Sequence, residues 1–209
     1  MPSIQFKNIG FIKTKLSNNV IQRLKMYIRH KNKKVNKDLA GNISNSYSIE
    51  DKNNFFFDNV LASLIDEHIN SFGITVPGIL TKNCRYKLHR FWVNFQKKYE
   101  FNPIHNHSGA YSFVVWIKIP SSYKKESKLP FTKNSNSNCP NTFQFLFTDS
   151  LGKISHHGFN LEPEDEGTLL LFNSQMNHCV YPFYLSNQER ISVSGNIYVD
   201  PEDILPILK

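Results

Sequence analysis

The sequence predicts a mainly β chain in which N-terminal helices pack on one face of a β-sandwich or barrel. Two stretches in the first eighty residues carry apolar residues at helical spacing, and six later runs rich in β-branched and aromatic residues are separated by turn formers. The chain has 209 residues and 40% hydrophobic content, which suffices for one core. We therefore expect a single domain over 1–209, with a helical part over 1–80, a β core over 81–200 and an inserted loop over 121–141.

The elements follow in order. The opening "MPSIQFKNIGFIKTKLSNNV" breaks its few apolar residues with Lys and Asn and so lacks the apolar core of a secretory signal. "SNNVIQRLKMYIRH" begins with Ser17 as a candidate cap and places Val20, Ile21, Leu24 and Ile28 on one helix face. "NNFFFDNVLASLIDEHINSFG" repeats the pattern through Phe57, Val60, Leu61, Leu64, Ile65 and Ile69 and stops at Gly73. After Pro77-Gly78 the character changes. "CRYKLHRFWVNFQ", "GAYSFVVWIKI", "NTFQFLFTD", "GTLLLFN", "CVYPFY" and "RISVSGNIYV" read as strands. The Ser/Asn/Lys-rich stretch from Ser121 to Asn141 has no periodicity and reads as a mobile loop between two of them. There is no internal repeat.

Charge and cysteines exclude several classes. Much of the net charge of +8 sits in "HKNKKVNK" and "SYKKESKLPFTK", which lack the aromatic interleaving of a single-strand-binding platform. A solvated basic surface is expected rather than a nucleic-acid groove, and an acidic substrate or anionic co-substrate is compatible with it. No stretch approaches the roughly 20 apolar residues of a membrane span. Cys84, Cys139 and Cys179 are odd in number and show no CxxC spacing, which argues against both a disulfide framework and a cysteine zinc knuckle. A soluble cytoplasmic protein is expected, in the host cytoplasm if the chain is viral.

"IHNHSGAYSFVVWIKIP" sets His105 and His107 one residue apart at the entry of a strand. Residues i and i+2 of a strand point the same way with Cα atoms about 6 to 7 Å apart, so both can aim at one ion. Taken alone, the pair leaves a metal role and two ordinary loop histidines equally open. "EGTLLLFNSQMNHCVYPFY" then offers an apolar strand, a polar turn and His178 at the start of another strand. In "ERISVSGNIYV", Arg190 and Ser192 share a strand face. A cation there needs a partner, either a neighbouring Asp or Glu or a ligand carboxylate held bidentately with the hydroxyl as second donor.

Taken together, HxH, a long interval, His and RxS resemble the iron(II)- and 2-oxoglutarate-dependent oxygenases, most closely those of phages and marine bacteria. The resemblance spans roughly residues 38 to 200. It rests on "LAGNISNSYSI", "FWVNFQKKYEFNPIHNHSGAYSFVVWIKIP", "EGTLLLFNSQMNHCVYPF" and "ERISVSGNIYV". It implies a double-stranded β-helix, the jelly-roll core shared with cupins, with His105 and His178 as iron ligands. It also implies Arg190 and Ser192 as the site for the distal carboxylate of 2-oxoglutarate. The wider family carries Asp or Glu where this chain has His107, and the general non-haem pattern is two His and one carboxylate. Either His107 completes a neutral three-histidine face, the reading carried forward here, or it stands behind the ligands and water or another carboxylate completes the site. Tyr86, Asn94 and Tyr111 lie on neighbouring strands and either hydrogen-bond the co-substrate or satisfy the barrel interior.

The implied reaction is hydroxylation of a C–H bond in a small molecule or peptidyl residue, with release of succinate and carbon dioxide. Two rivals remain. A cupin-type metalloprotein without 2-oxoglutarate accounts for three histidines, and the spacing from Gly167 to His178 resembles the second cupin motif. It lacks the Glu expected after HxH, however, and gives Arg190 no role. A non-catalytic jelly-roll binding module would leave the histidines incidental. His156 and His157 read as surface residues, His68 and His30 belong to the helices, and Trp92 and Trp116 read as core. The 121–141 loop and "HKNKKVNKDLAGNISNSY" are expected to border the pocket and carry specificity. Oligomeric state is not legible.

Overall fold

In the computed structural model, which describes residues 9–76, 79 and 84–200, ten strands among the described residues form two antiparallel sheets. First come β1 (Phe11–Lys15), α1 (Asn18–Arg29), β2 (Asn45–Ser48) and α2 (Ala62–Phe72). There follow β3 (Tyr86–Gln96), β4 (Asn102–His105), β5 (Tyr111–Lys118), the short α3 (Tyr123–Glu126), β6 (Thr142–Thr148) and β7 (Ile154–Asn160). The chain ends its described part with β8 (Thr168–Asn173), β9 (Asn177–Val180) and β10 (Arg190–Val199). The larger sheet has the order β1-β8-β5-β10-β3-β2 and the smaller β4-β9-β6-β7. From β3 to β10 the chain passes back and forth between the sheets, which is the double-stranded β-helix expected from the sequence. Among the described residues no helix is long and apolar enough to cross a membrane.

Strand alternation divides the larger sheet into two faces. One face, with Phe91, Val93, Tyr111, Phe113, Val115, Val193 and Ile197, packs against Leu24 and Tyr27 of α1 and Leu64, Ile65 and Ile69 of α2. The other, with Val114, Trp116, Leu170 and Phe172, meets Phe143 and Phe145 of the smaller sheet. Phe113 and Leu64 each bury an apolar side chain, a gain of about 1.5–3 kcal/mol apiece. A π-helical turn over Phe57–Leu61 leads into α2, which ends at Gly73 with φ 80°, a conformation that favours glycine. The start of that helical region is held by Asp51. Its carboxylate accepts from the Phe56 and Phe57 amides at 2.8 Å each and from the Tyr27 hydroxyl at 3.1 Å, tying the region to α1.

Several expectations are corrected. The helical part over 1–80 also contributes both edge strands of the larger sheet, β1 against β8 and β2 against β3. They escaped sequence reading because FIKTK and NSYS are short and half polar, as edge strands often are. Ser17 occupies the cap position of α1, but its side chain makes no cap hydrogen bond. The 121–141 segment is anchored at Ser121, Glu126, Thr132 and Asn141, all buried, while residues 133–137 are exposed. It carries α3, and Glu126, fully buried, accepts from the amides of Tyr184 at 3.0 Å and Leu185 at 2.9 Å and from the Ser121 hydroxyl. Thr132 then closes onto the Glu126 carbonyl at 3.1 Å. The Pro77-Gly78 break lies outside the described residues. The three cysteines stand unbridged.

Candidate metal centre

β4 and β9 are short neighbours in the smaller sheet, and their register sets His105 directly opposite His178. Each histidine uses Nδ1 on the carbonyl two residues before it: His105 on Pro103 at 2.8 Å, His178 on Met176 at 2.9 Å. With that nitrogen donating, Nε2 keeps its lone pair, the form in which imidazole binds a cation. His107 follows β4, and its amide donates to the Ser174 carbonyl at 2.8 Å. One nitrogen from each of the three rings lies within 4.8 Å of the others. Ring centroids are 4.2 Å apart for His105 and His178, 4.9 Å for His105 and His107, and 5.1 Å for His107 and His178. Among the described residues no carboxylate joins this cluster.

Burial keeps these imidazoles neutral. It is the largest cause that pushes His178 down to about 3, assisted by the neighbouring His105. His107 falls to about 4, by burial first and then by the charges of His105 and Arg90. His105 is lowered by burial against the pull of its hydrogen bond to Pro103. All three present lone pairs, not protons, at neutral pH.

The histidines line a cavity between the two sheets together with Asn94, Arg190, Ser192 and Ser194. Arg190, 2% exposed, donates from Nε to Gln96 Oε1 at 3.1 Å, from Nη1 to Asn141 Oδ1 at 3.0 Å and from Nη2 to the Tyr181 carbonyl at 2.8 Å. Burial lowers its pKa to about 9, so it remains a cation at neutral pH. Of the two partners the sequence leaves open, a neighbouring Asp or Glu is not among these three; every one of them is neutral. Asn94 lies across the ladder from Ser192, and its Oδ1 accepts from Ser46 Oγ at 2.8 Å.

Beyond His105 and His178 there are six candidate residues, His107, Arg190, Ser192, Asn94, Tyr86 and Tyr111, and the structure gathers the first four with His105 and His178 around one cavity. Tyr111 and Tyr86 are elsewhere. Tyr111 belongs to the odd-numbered face of β5 and packs on His68 and Tyr86 against the helices. Tyr86 shares parity with Asn94, but a bulge shifts the β3–β10 register between Asn196 and Ile197, so Arg90 faces Asn196 while Leu88 faces Ile197. That extra residue turns the start of β3 over, and Tyr86 joins the helix-side core. The 121–141 segment lines none of the cavity, whereas Leu39 to Ser46 does. Trp92 and Trp116 are buried, as expected, but also face the cavity. Gln96 and Asn141 were missed. Gln96 could have been found two residues from Asn94 on the same strand face, but Asn141 carries no local signal.

The model of the family described as "Putative 2OG-Fe(II) oxygenase" matches residues 90–196. No curated protein sequence matches the chain. Among solved structures, it is similar to a prolyl-4-hydroxylase of Pseudomonas putida, at 15% identity and TM-score 0.52 over 91% of this chain and 93% of that one. It is similar to a prolyl hydroxylase of Trichoplax adhaerens, solved with a hypoxia-inducible-factor peptide, at 12% identity and TM-score 0.50 over 96% and 88% of the two chains. HygX of Streptomyces hygroscopicus, solved with nickel, 2-oxoglutarate and hygromycin B, is similar at 12% identity and TM-score 0.50 over 92% and 84%. These likenesses agree with the jelly-roll topology, and the family model spans the strands that carry the histidines and Arg190: the chain belongs to the iron(II)- and 2-oxoglutarate-dependent oxygenases.

Proposed function

We propose that His105, His107 and His178 hold the iron of this oxygenase and that Arg190, with Ser192 and Asn94, holds the distal carboxylate of 2-oxoglutarate. The carrying observation is one cavity that contains both three convergent neutral imidazoles and a buried guanidinium with no carboxylate partner among the described residues. Both fit their groups: lone pairs suit a divalent cation, and a planar cation whose hydrogen-bond partners are all neutral suits a carboxylate. When bound, iron(II) would supply, with 2-oxoglutarate and dioxygen as co-substrates, an oxidative decarboxylation to succinate and carbon dioxide coupled to hydroxylation of a substrate C–H bond, one oxygen atom going to succinate and the other to the substrate. The chain's own contribution is to orient and to exclude water. The Pro103 and Met176 carbonyls fix two ligand rings, and Trp92, Trp116, Phe143 and Phe172 dry the cavity walls.

The substrate reading is an anionic small molecule or a peptidyl residue. Arg90 supports it: exposed, on the same strand face as Trp92, and close enough to His107 for its charge to oppose protonation there. Equal turnover of neutral and anionic candidates would count against this reading. The described residues form one domain in our reading, and three free cysteines suit the cytoplasm.

The test is an anaerobic titration of the iron(II)-loaded protein with 2-oxoglutarate, following the weak visible charge-transfer band of a chelated 2-oxo acid. Arg190→Ala should need at least tenfold more co-substrate to develop the band, and His107→Ala should lose it. A full wild-type band in His107→Ala would remove His107 from the ligand set. Iron binding without any band in wild type would favour the cupin-type reading, which three imidazoles also suit.

A further inference from the structure

A buried cation is costly unless it is paired, and the usual pair is a carboxylate. Arg190 is buried with three hydrogen bonds, and all three go to neutral oxygens. Glu126, whose charge Arg190 feels, is occupied elsewhere: its carboxylate accepts from the Tyr184 and Leu185 amides and the Ser121 hydroxyl. The two amides that face the guanidinium are themselves oriented from behind. Asn141 donates from Nδ2 to the Ser121 and Leu161 carbonyls at 2.8 Å each, and Gln96 donates from Nε2 to the Glu100 carbonyl at 2.5 Å. With their NH₂ groups held by main-chain carbonyls, both amides must turn their oxygens toward Arg190. A carboxylate at either place would set its second oxygen against those carbonyls and its first would neutralise the guanidinium. The backbone agrees, since Asn141 sits at φ 56°, where Asn is among the best tolerated non-glycine residues.

We propose that Gln96 and Asn141 are positioning residues that keep the Arg190 guanidinium free of any directly bonded carboxylate, and that this selects a 2-oxo acid ending in a carboxylate over one ending in a methyl group. Arginine has five N–H donors, of which the cage takes three; one on each Nη is left for the co-substrate. The proposal rests on the reading of Arg190 as the co-substrate anchor. It also gives the 121–141 excursion a purpose: it delivers Asn141 to the back of the guanidinium instead of bordering the substrate.

The test is calorimetric titration of the full-length manganese(II)-loaded protein with 2-oxoglutarate and, separately, with 2-oxopentanoate, which has the same chain length but no distal carboxylate. Wild type should prefer 2-oxoglutarate by at least tenfold. Gln96→Glu should weaken 2-oxoglutarate about tenfold or more and leave 2-oxopentanoate within twofold, so that the preference collapses. Asn141→Asp should do the same and serves if the first variant does not fold. Equal weakening of both acids would show a merely structural role and overturn the proposal. An unchanged preference in both variants, with Arg190→Ala losing it, would overturn the cage and leave the anchor standing. No preference in wild type, and none lost in Arg190→Ala, would overturn the anchor reading and the proposal with it.

Discussion

The two faces of the larger sheet differ by one residue of strand register and by everything else. Along β10, Val193 and Ile197 meet the helices in a dry, closed core, while Arg190, Ser192 and Ser194 meet a polar cavity. The same alternation runs through β3, where Val93 and Phe95 pack under the helices and Trp92, Asn94 and Gln96 face the cavity. One strand thus carries stability on one side and chemistry on the other. The two can be perturbed separately, because side chains on opposite faces share few neighbours.

The largest effect should separate the faces completely. On the helix face, Phe56→Ala should cost about 3–5 kcal/mol of stability and leave metal stoichiometry of the folded protein unchanged. On the other side, His178→Gln should weaken iron(II) binding at least a hundredfold while the metal-free protein still unfolds cooperatively. Denaturant titration and metal analysis on the same samples read both; a loss of iron in Phe56→Ala would break the division.

A medium effect comes from pH. His107 and His178 have folded values of about 4 and 3 against the ordinary 6.5. Between about pH 6.5 and 4 the unfolded chain therefore binds protons that the folded chain refuses, and stability of the metal-free protein falls as pH falls. Each histidine adds up to about 1.4 kcal/mol per pH unit to that slope. Calorimetry in chelator from pH 7 to 5 should show a shallower loss in His178→Gln than in wild type. An identical slope would mean that His178 is not desolvated as described.

The smallest effect sharpens the comparison by its absence. Tyr111→Phe, on the helix face, should change 2-oxoglutarate affinity by less than about twofold, whereas Asn94→Ala, on the cavity face, should weaken it measurably. A co-substrate effect of Tyr111→Phe would return that residue to the site.

The sequence made the histidines, Arg190 and six of the eight core strands legible, because each rests on short-range pattern: HxH, RxS and runs of β-branched and aromatic residues; β4 and the polar β7 are not among them. What it hid depends on longer range or on a single inserted residue. The bulge that turns Tyr86 over leaves no mark in a strand whose two ends both alternate. Edge strands β1 and β2 have too few residues for a period to show. Asn141 reaches Arg190 only because a non-periodic segment is folded by Glu126, whose amide partners lie far along the chain. A polar, aperiodic stretch shows no anchor points by composition, and buried hydrogen bonds to main chain are what supply them at Glu126 and Asn141.

His105 and His178 face each other across the outer pair of strands in the smaller sheet, where β4 is the edge and the ladder is broken by a register shift. A cation held by both would act as a clasp on that edge, joining two strands separated by a long stretch of chain. Because such a cation binds the folded strands and not the unfolded chain, its binding free energy adds to the stability of the fold. Iron would then be a fastener as well as a reagent, and amide protons of β4 and β9 should exchange with solvent more slowly in the loaded protein than in the empty one.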